Sequence, residues 1–200
     1  MGRERRSHEE RRAEIAEAAL RLIATRGLAQ LTVASLAKEL GITGGALYRH
    51  FPSTDAILEA VAARAAEMLD ASLPDPGLPP LVWLERFVAS RAETVSGHAG
   101  LARLVFSEQV ALGMPEEAVE HLRGAVKRTY ASIERALRRG QERGEIRSDI
   151  ASVQLVPVVV GTVQMLALSR TGGLIRRTSA PTASFEVLRA LLAAPRETHR

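Results

Sequence analysis

The chain has 200 residues, of which 46% are apolar and 25% charged, with a net charge of +4. That is enough apolar material for a packed core, so general disorder is excluded, and the mild basicity is compatible with a polyanionic partner without requiring one. There is no cysteine, which removes disulfides, thiolate metal sites and cysteine nucleophiles and suits a reducing compartment.

The N-terminus, MGRERRSHEERR, has no apolar run behind its charges and is not read as a secretory signal. Ser7 and Glu10 have capping-box spacing. The helix they open carries Ile15, Ala16, Ala19, Leu20 and Ile23 on one face, and Gly27 follows its end. Thr32 caps a short second helix with Val33, Leu36, Ala37 and Leu40 inward, which Gly41 stops. Thr43 caps a third, predicted to end near Phe51 because Pro52 disfavours helix before it. Ser53 and Asp55 open a fourth.

Residues 72–80, SLPDPGLPP, hold four prolines and a glycine and form the best hinge in the chain. Beyond them the periodicity predicts helices at about 80–96, 100–112, 115–143, 149–170 and 182–194, with Ser148-Asp149 capping the fourth of these. Residues 150–169 contain no charge, which approaches the length of a membrane span. The polar Ser152, Gln154, Thr162 and Gln164, the internal Pro157 and the lack of flanking Trp or Tyr favour a buried helix instead. The fold class is therefore all-α, with about nine helices. Residues 1–53 form an N-terminal helix-turn-helix domain with a basic arm at 1–7, and residues 54–200 a C-terminal helical bundle.

Residues 36–51, LAKELGITGGALYRHF, carry the functional signal. Ala37 is small where two helices cross, and Gly41 supplies a left-handed turn. Leu36, Leu40, Ile42 and Leu47 hold the second helix of the pair on the first. Its outward face is then Gly44, Gly45, Tyr48 and Arg49, with Ala46 beside them. Such a helix can enter the major groove with its N-terminal residues at the base edges. The paired glycines let free backbone amides come close to phosphates or bases. Tyr48 and His50 place a hydroxyl and an imidazole where phosphates run, and Arg49 reaches a phosphate or a guanine edge.

Residues 10–58 resemble the DNA-binding domain of the TetR/AcrR family of transcriptional regulators. The resemblance rests on Thr32-Val33, on LAKELGI, and on GALYRHF followed by Pro-Ser-x-Asp-x-Ile-Leu. It implies a cytoplasmic homodimeric repressor, not an enzyme, that binds a double-stranded operator and leaves it when a small-molecule effector binds the C-terminal domain. It further implies that Thr32, Tyr48 and His50 touch phosphates and that Gly44, Ala46 and Arg49 lie nearest the bases. With Thr43, Gly45 and Thr54 these make the candidate DNA-binding set. The family usually has a lysine where Thr54 stands, so about one ionic contact per subunit is lost. The arginines of the arm and early first helix, Arg3, Arg5, Arg6, Arg11 and Arg12, either reach the DNA or form a solvated tail interleaved with Glu4, Glu9 and Glu10.

Two uncharged or apolar helices, 149–170 and 182–194, suit a dimeric four-helix interface, with Gly161 and Ala167 allowing close approach. Candidate effector contacts are Trp83, Phe87, Phe106, Gln109, Tyr130, Gln164 and Met165, of which the aromatics and Met165 read more readily as ordinary core. The five histidines lack metal-ligand spacing, and no phosphate loop or nucleophile elbow is present. No cofactor, metal or membrane partner is therefore expected. The alternative class is a DNA-binding or protein-interaction regulator that needs no ligand.

Overall fold

A computed structural model of the chain describes residues 8–106, 113–170 and 181–194. Among them are nine α-helices: α1 His8–Arg26, α2 Val33–Leu40, α3 Gly44–Tyr48, α4 Thr54–Ala71, α5 Pro80–Gly97, α6 Ala99–Phe106, α7 Glu116–Glu142, α8 Ser152–Arg170 and α9 Pro181–Leu192. The only strand-like pairing among these residues is an isolated bridge between Ile146 and Ala193. The chain is all-α. Ser7, Arg3, Arg5, Arg6, Gln109 and the end of the helix expected at 100–112 lie outside the described residues.

The chain divides into two compact units. The first comprises Met1–Met68 and His98–Ala125, the second Leu69–Gly97 and Val126–Arg200. In the first, α1 buries Ile15, Ala16, Ala19, Leu20 and Ile23, and also Ala18 and Leu22. It packs on α2 and α6. The approach of α6 is close enough that a Cβ on Gly100 would lie 2.1 Å from the Leu20 carbonyl oxygen. At the C-terminal end of α1, Arg103 donates to the Ile23 carbonyl at 3.4 Å, which also accepts from the Gly27 amide at 3.0 Å.

In the second unit α5 packs on α8 and α9. Trp83, Leu84, Phe87 and Val88 meet Leu155, Val156, Val159, Phe185, Leu188 and Leu192 in one buried cluster. Trp83 and Phe87 stack with centroids 5.3 Å apart, and Trp83 Nε1 donates to the Pro74 carbonyl at 3.2 Å. Helix α8 is long and apolar enough to cross a membrane, with a mean hydropathy of 1.6 over Ser152–Ser169. Five of its residues, Leu155, Val156, Val159, Val163 and Leu166, are nevertheless buried in this core.

Two local expectations are corrected. Helix α8 starts at Ser152, not 149, and Ser148-Asp149 does not cap it. The Asp149 carboxylate instead accepts two hydrogen bonds from Arg147, at 2.8 and 2.7 Å. Helix α3 ends at Tyr48, not Phe51. The amides of His50 and Phe51 both bond the Leu47 carbonyl, at 2.9 and 3.0 Å, which closes the helix in a turn before Pro52.

Candidate nucleic-acid interface

The helix-turn-helix is built by local chemistry at each end. Thr32 caps α2 through a capping box with Ser35: the Ser35 amide donates to Thr32 Oγ1 at 3.1 Å and the Thr32 amide to Ser35 Oγ at 2.9 Å. Gly41 ends α2 at φ 64°, ψ 32°. An L side chain at this φ costs about 1–2 kcal/mol. The Ile42 amide returns to the Ala37 carbonyl at 3.0 Å, closing the turn. Thr43 then caps α3, its Oγ1 accepting from the Ala46 amide at 3.2 Å. Leu36, Leu47 and Phe51 are fully buried and Ala37 nearly so, so the inner faces of α2 and α3 seal against the core.

What remains outside is the predicted face. Thr43, Gly45, Tyr48 and Arg49 are exposed, while Gly44, Ala46, His50 and Thr54 are half-buried. Tyr48 keeps 54% of its surface. Thr32, at the start of α2, is exposed as well. Neither glycine of the pair has a positive φ. A Cβ on Gly45 would meet nothing within 4 Å, and one on Gly44 only Val33 Cγ1 at 3.9 Å. The fold therefore has room for a side chain at both positions.

Behind this face lies a basic cluster. The His50 ring sits 5.0 Å from that of His8, tilted by 39°. Its Nδ1 is buried without a hydrogen-bond partner. Burial, and then the charges of His8, Arg11, Arg49 and Arg12, hold the His50 imidazole below the ordinary histidine pKa. Arg12, read as part of a basic arm, is turned inward. Its guanidinium lies over the Phe51 ring and donates to the His50 carbonyl. Arg11 pairs with Glu14 at 2.8 Å.

The candidate effector residues are placed less coherently. Trp83 and Phe87 are stacked in the core of the second unit, Gln164 is half-buried, and Tyr130 and Met165 are 42% and 48% exposed. Phe106, in the first unit, is half-buried. Trp83 touches a groove of about 200 Å³ with Leu73, Pro74, Pro76, Arg135 and Arg139. Met165 touches a shallow apolar hollow of about 440 Å³ on α8 and α9. One buried charged residue is not foreseen from the sequence: Arg91, only 5% exposed. Its signal was position, since it falls three and four residues from Val88 and Phe87 on the inward stripe of α5, where the pattern demands an apolar side chain.

A capped helix pair whose second helix presents glycines and a tyrosine, with an arginine at its end, has the form of a DNA-binding helix-turn-helix. Residues 15–61 match the sequence profile of bacterial regulatory proteins of the tetR family, and this segment is a TetR-family DNA-binding domain. It is 39% identical over 59 residues to the nucleoid occlusion factor SlmA of Haemophilus influenzae, covering 29% of this chain and 27% of that protein. The match thus spans about a quarter of that relative's length. The TetR-family regulator PfmR from Thermus thermophilus shares the fold with a TM-score of 0.71 and 26% identity, over 88% of this chain and 93% of that one. AibR, in complex with isovaleryl coenzyme A and operator DNA, shares it with a TM-score of 0.73 and 16% identity, over 91% and 97%.

Proposed function

We propose that this regulator is a cytoplasmic homodimeric repressor whose α3 helices read an operator and which a small-molecule effector releases. The observation that carries the DNA reading is the glycine pair. Nothing inside the chain requires Gly44 or Gly45, and glycine costs up to about 1 kcal/mol against alanine in a helix. Their smallness then serves a surface outside the chain, approached by the backbone amides at the start of α3. Thr32, Thr43, Tyr48, His50 and Thr54 fall where they can bond phosphates, and Arg49 and Ala46 where they can meet base edges.

The dimer reading is supported by the apolar residues that α8 and α9 leave uncovered. Val153, Val158, Met165, Val187 and Leu191 are each at least 43% exposed, and the exposed Gly161 lines one hollow with Met165, Val187 and Leu191. Ala167 is buried within its own unit and contributes nothing to a partner. The effector reading is supported by AibR, a protein of the same fold bound to an acyl coenzyme A and operator DNA. The likeness to SlmA is confined to the DNA-binding segment and supports DNA binding alone.

The test is fluorescence anisotropy with the DNA upstream of the protein's own gene, across a salt series, with Tyr48→Ala alongside. Sequence-selective, salt-sensitive binding by two or four subunits, weakened in the variant, is the expected result. Binding equal to that of random DNA and unchanged by Tyr48→Ala would sink the proposal for this operator and this helix.

A further inference from the structure

Arg91 lies on the buried stripe of α5 with Leu84, Phe87, Val88, Ala92 and Val95. Its Nη2 donates to the Leu69 carbonyl at 2.8 Å and to Thr129 Oγ1 at 3.1 Å, both neutral acceptors. Its Nε is buried and meets no acceptor. The Phe87 ring lies 5.3 Å from the guanidinium carbon. The acid nearest in charge is Asp70, and that carboxylate is taken by Arg128 through two hydrogen bonds, at 3.1 and 2.7 Å.

A buried guanidinium without a counter-ion is costly, and the cost is usually met by a bonded carboxylate. Burial pushes the Arg91 pKa down to about 10 against the opposing pull of Asp70, so the group is still a cation at neutral pH. The bond to Leu69 does not account for it. The Leu69 carbonyl near the C-terminal end of α4 already accepts from Ser72 Oγ at 2.8 Å, so that acceptor is satisfied without Arg91. A neutral apolar residue would fill the stripe more cheaply. Among the described residues no carboxylate bonds Arg91, so one negative charge beside the Phe87 face would complete its pairing.

We propose that Arg91 anchors the anionic end of the effector, and that the effector is an amphiphilic monocarboxylate. A single guanidinium matches one negative charge, so a phosphate dianion would remain under-compensated. Phe87 and the apolar stripe are closed in the unliganded chain and would part to take the ligand's hydrocarbon body. This inference rests on the effector reading above.

The test uses the full chain, with hexanoate, decanoate and tetradecanoate as probes and decanol and decylamine as controls, by calorimetry and thermal unfolding. The expected result is binding of at least one carboxylate, with affinity on the order of tenfold or more above that of the alcohol, as one charged hydrogen bond supplies, and no binding of the amine. Arg91→Gln, which keeps donors for Leu69 and Thr129 without the charge, and Arg91→Met should lose the preference for carboxylate over alcohol. Arg91→Lys should retain part of it, and the unliganded unfolding midpoint of Arg91→Met should hold or rise. Absence of carboxylate binding, equal binding of carboxylate and alcohol, or a preference that survives in Arg91→Gln would overturn the proposal. DNA binding measured on the same samples separates the two readings. Intact DNA binding without carboxylate preference removes the anchor alone, whereas carboxylate preference without DNA binding removes the regulator reading and leaves the anchor.

Discussion

Arg12 holds Phe51: its guanidinium carbon lies 4.2 Å from the ring centroid, and the same group donates to the adjacent His50 carbonyl at 2.7 Å. One side chain of α1 therefore fixes the exit of the helix-turn-helix, and with it the direction in which Tyr48 and Arg49 point. A cation over an aromatic face and a charged hydrogen bond together contribute about 1–3 kcal/mol at a half-buried site. Arg12→Ala should lower unfolding stability by that amount in urea titration and weaken DNA binding, although Arg12 touches no DNA in this scheme. Arg12→Lys should recover only part of the stability, since an ammonium lacks the planar fork.

Two glycine substitutions should have opposite consequences. A Cβ on Gly100 would press on the Leu20 backbone, and backbone cannot give way as a flexible side chain does. Gly100→Ala should destabilise by about 1–3 kcal/mol despite its better helix propensity. Gly45→Ala enters open space and should be neutral or stabilising by up to about 1 kcal/mol, while DNA binding falls because the added methyl keeps the helix start away from its target. Thermal unfolding and a DNA titration on both variants check this. A Gly45→Ala protein that binds DNA normally would remove the close-approach argument.

Gly41 tests the turn itself. At φ 64° alanine costs about 1–2 kcal/mol, so Gly41→Ala should lower the midpoint of thermal unfolding. Gly41→Asn should be milder, because asparagine tolerates the left-handed region.

Acidification should move stability and DNA affinity in opposite directions. His50 is held below the ordinary histidine value of 6.5 by burial first and then by His8, Arg11, Arg49 and Arg12. The unfolded chain therefore binds more protons than the folded one. Stability is fully present above about pH 6.5 and is lost as pH falls from there through the lower folded pKa. A DNA phosphate beside His50 favours the protonated ring and reverses the sign for binding. Denaturant midpoints and DNA affinities between about pH 8 and pH 5.5 should thus diverge in the wild type, and His50→Gln should flatten both curves.

The dimer proposal predicts that Val187→Glu combined with Leu191→Glu yields a folded monomer with weakened operator binding. Val187 is 63% exposed and Leu191 59%, so the charges disturb little inside one subunit. Light scattering coupled to size exclusion reads the mass directly. An unchanged mass would place any dimer contact elsewhere.

Signals that act over three or four residues were legible in the amino-acid order. Thr32, Gly41, Thr43 and Ser53 end or open helices where they were expected to, because a hydroxyl bonds an amide three residues on and a glycine takes a left-handed turn whatever surrounds it. The outward face of α3 follows from the same spacing. The Ser148-Asp149 cap failed for a related reason, as Arg147 offered the carboxylate a charged partner nearer than the helix start.

By itself, then, the sequence determined the helical class, the helix-turn-helix and which face of α3 is open, since each is set by local hydrogen bonding and by a periodicity of hydrophobic residues. Only the tertiary structure decided that Arg12 turns inward to Phe51, that Gly100 meets Leu20, and that Arg91 is buried on two neutral acceptors while Asp70 goes to Arg128. These pairings join residues that are far apart in the chain. Burial and the choice among competing charged partners depend on which helices pack together, and no local pattern encodes that.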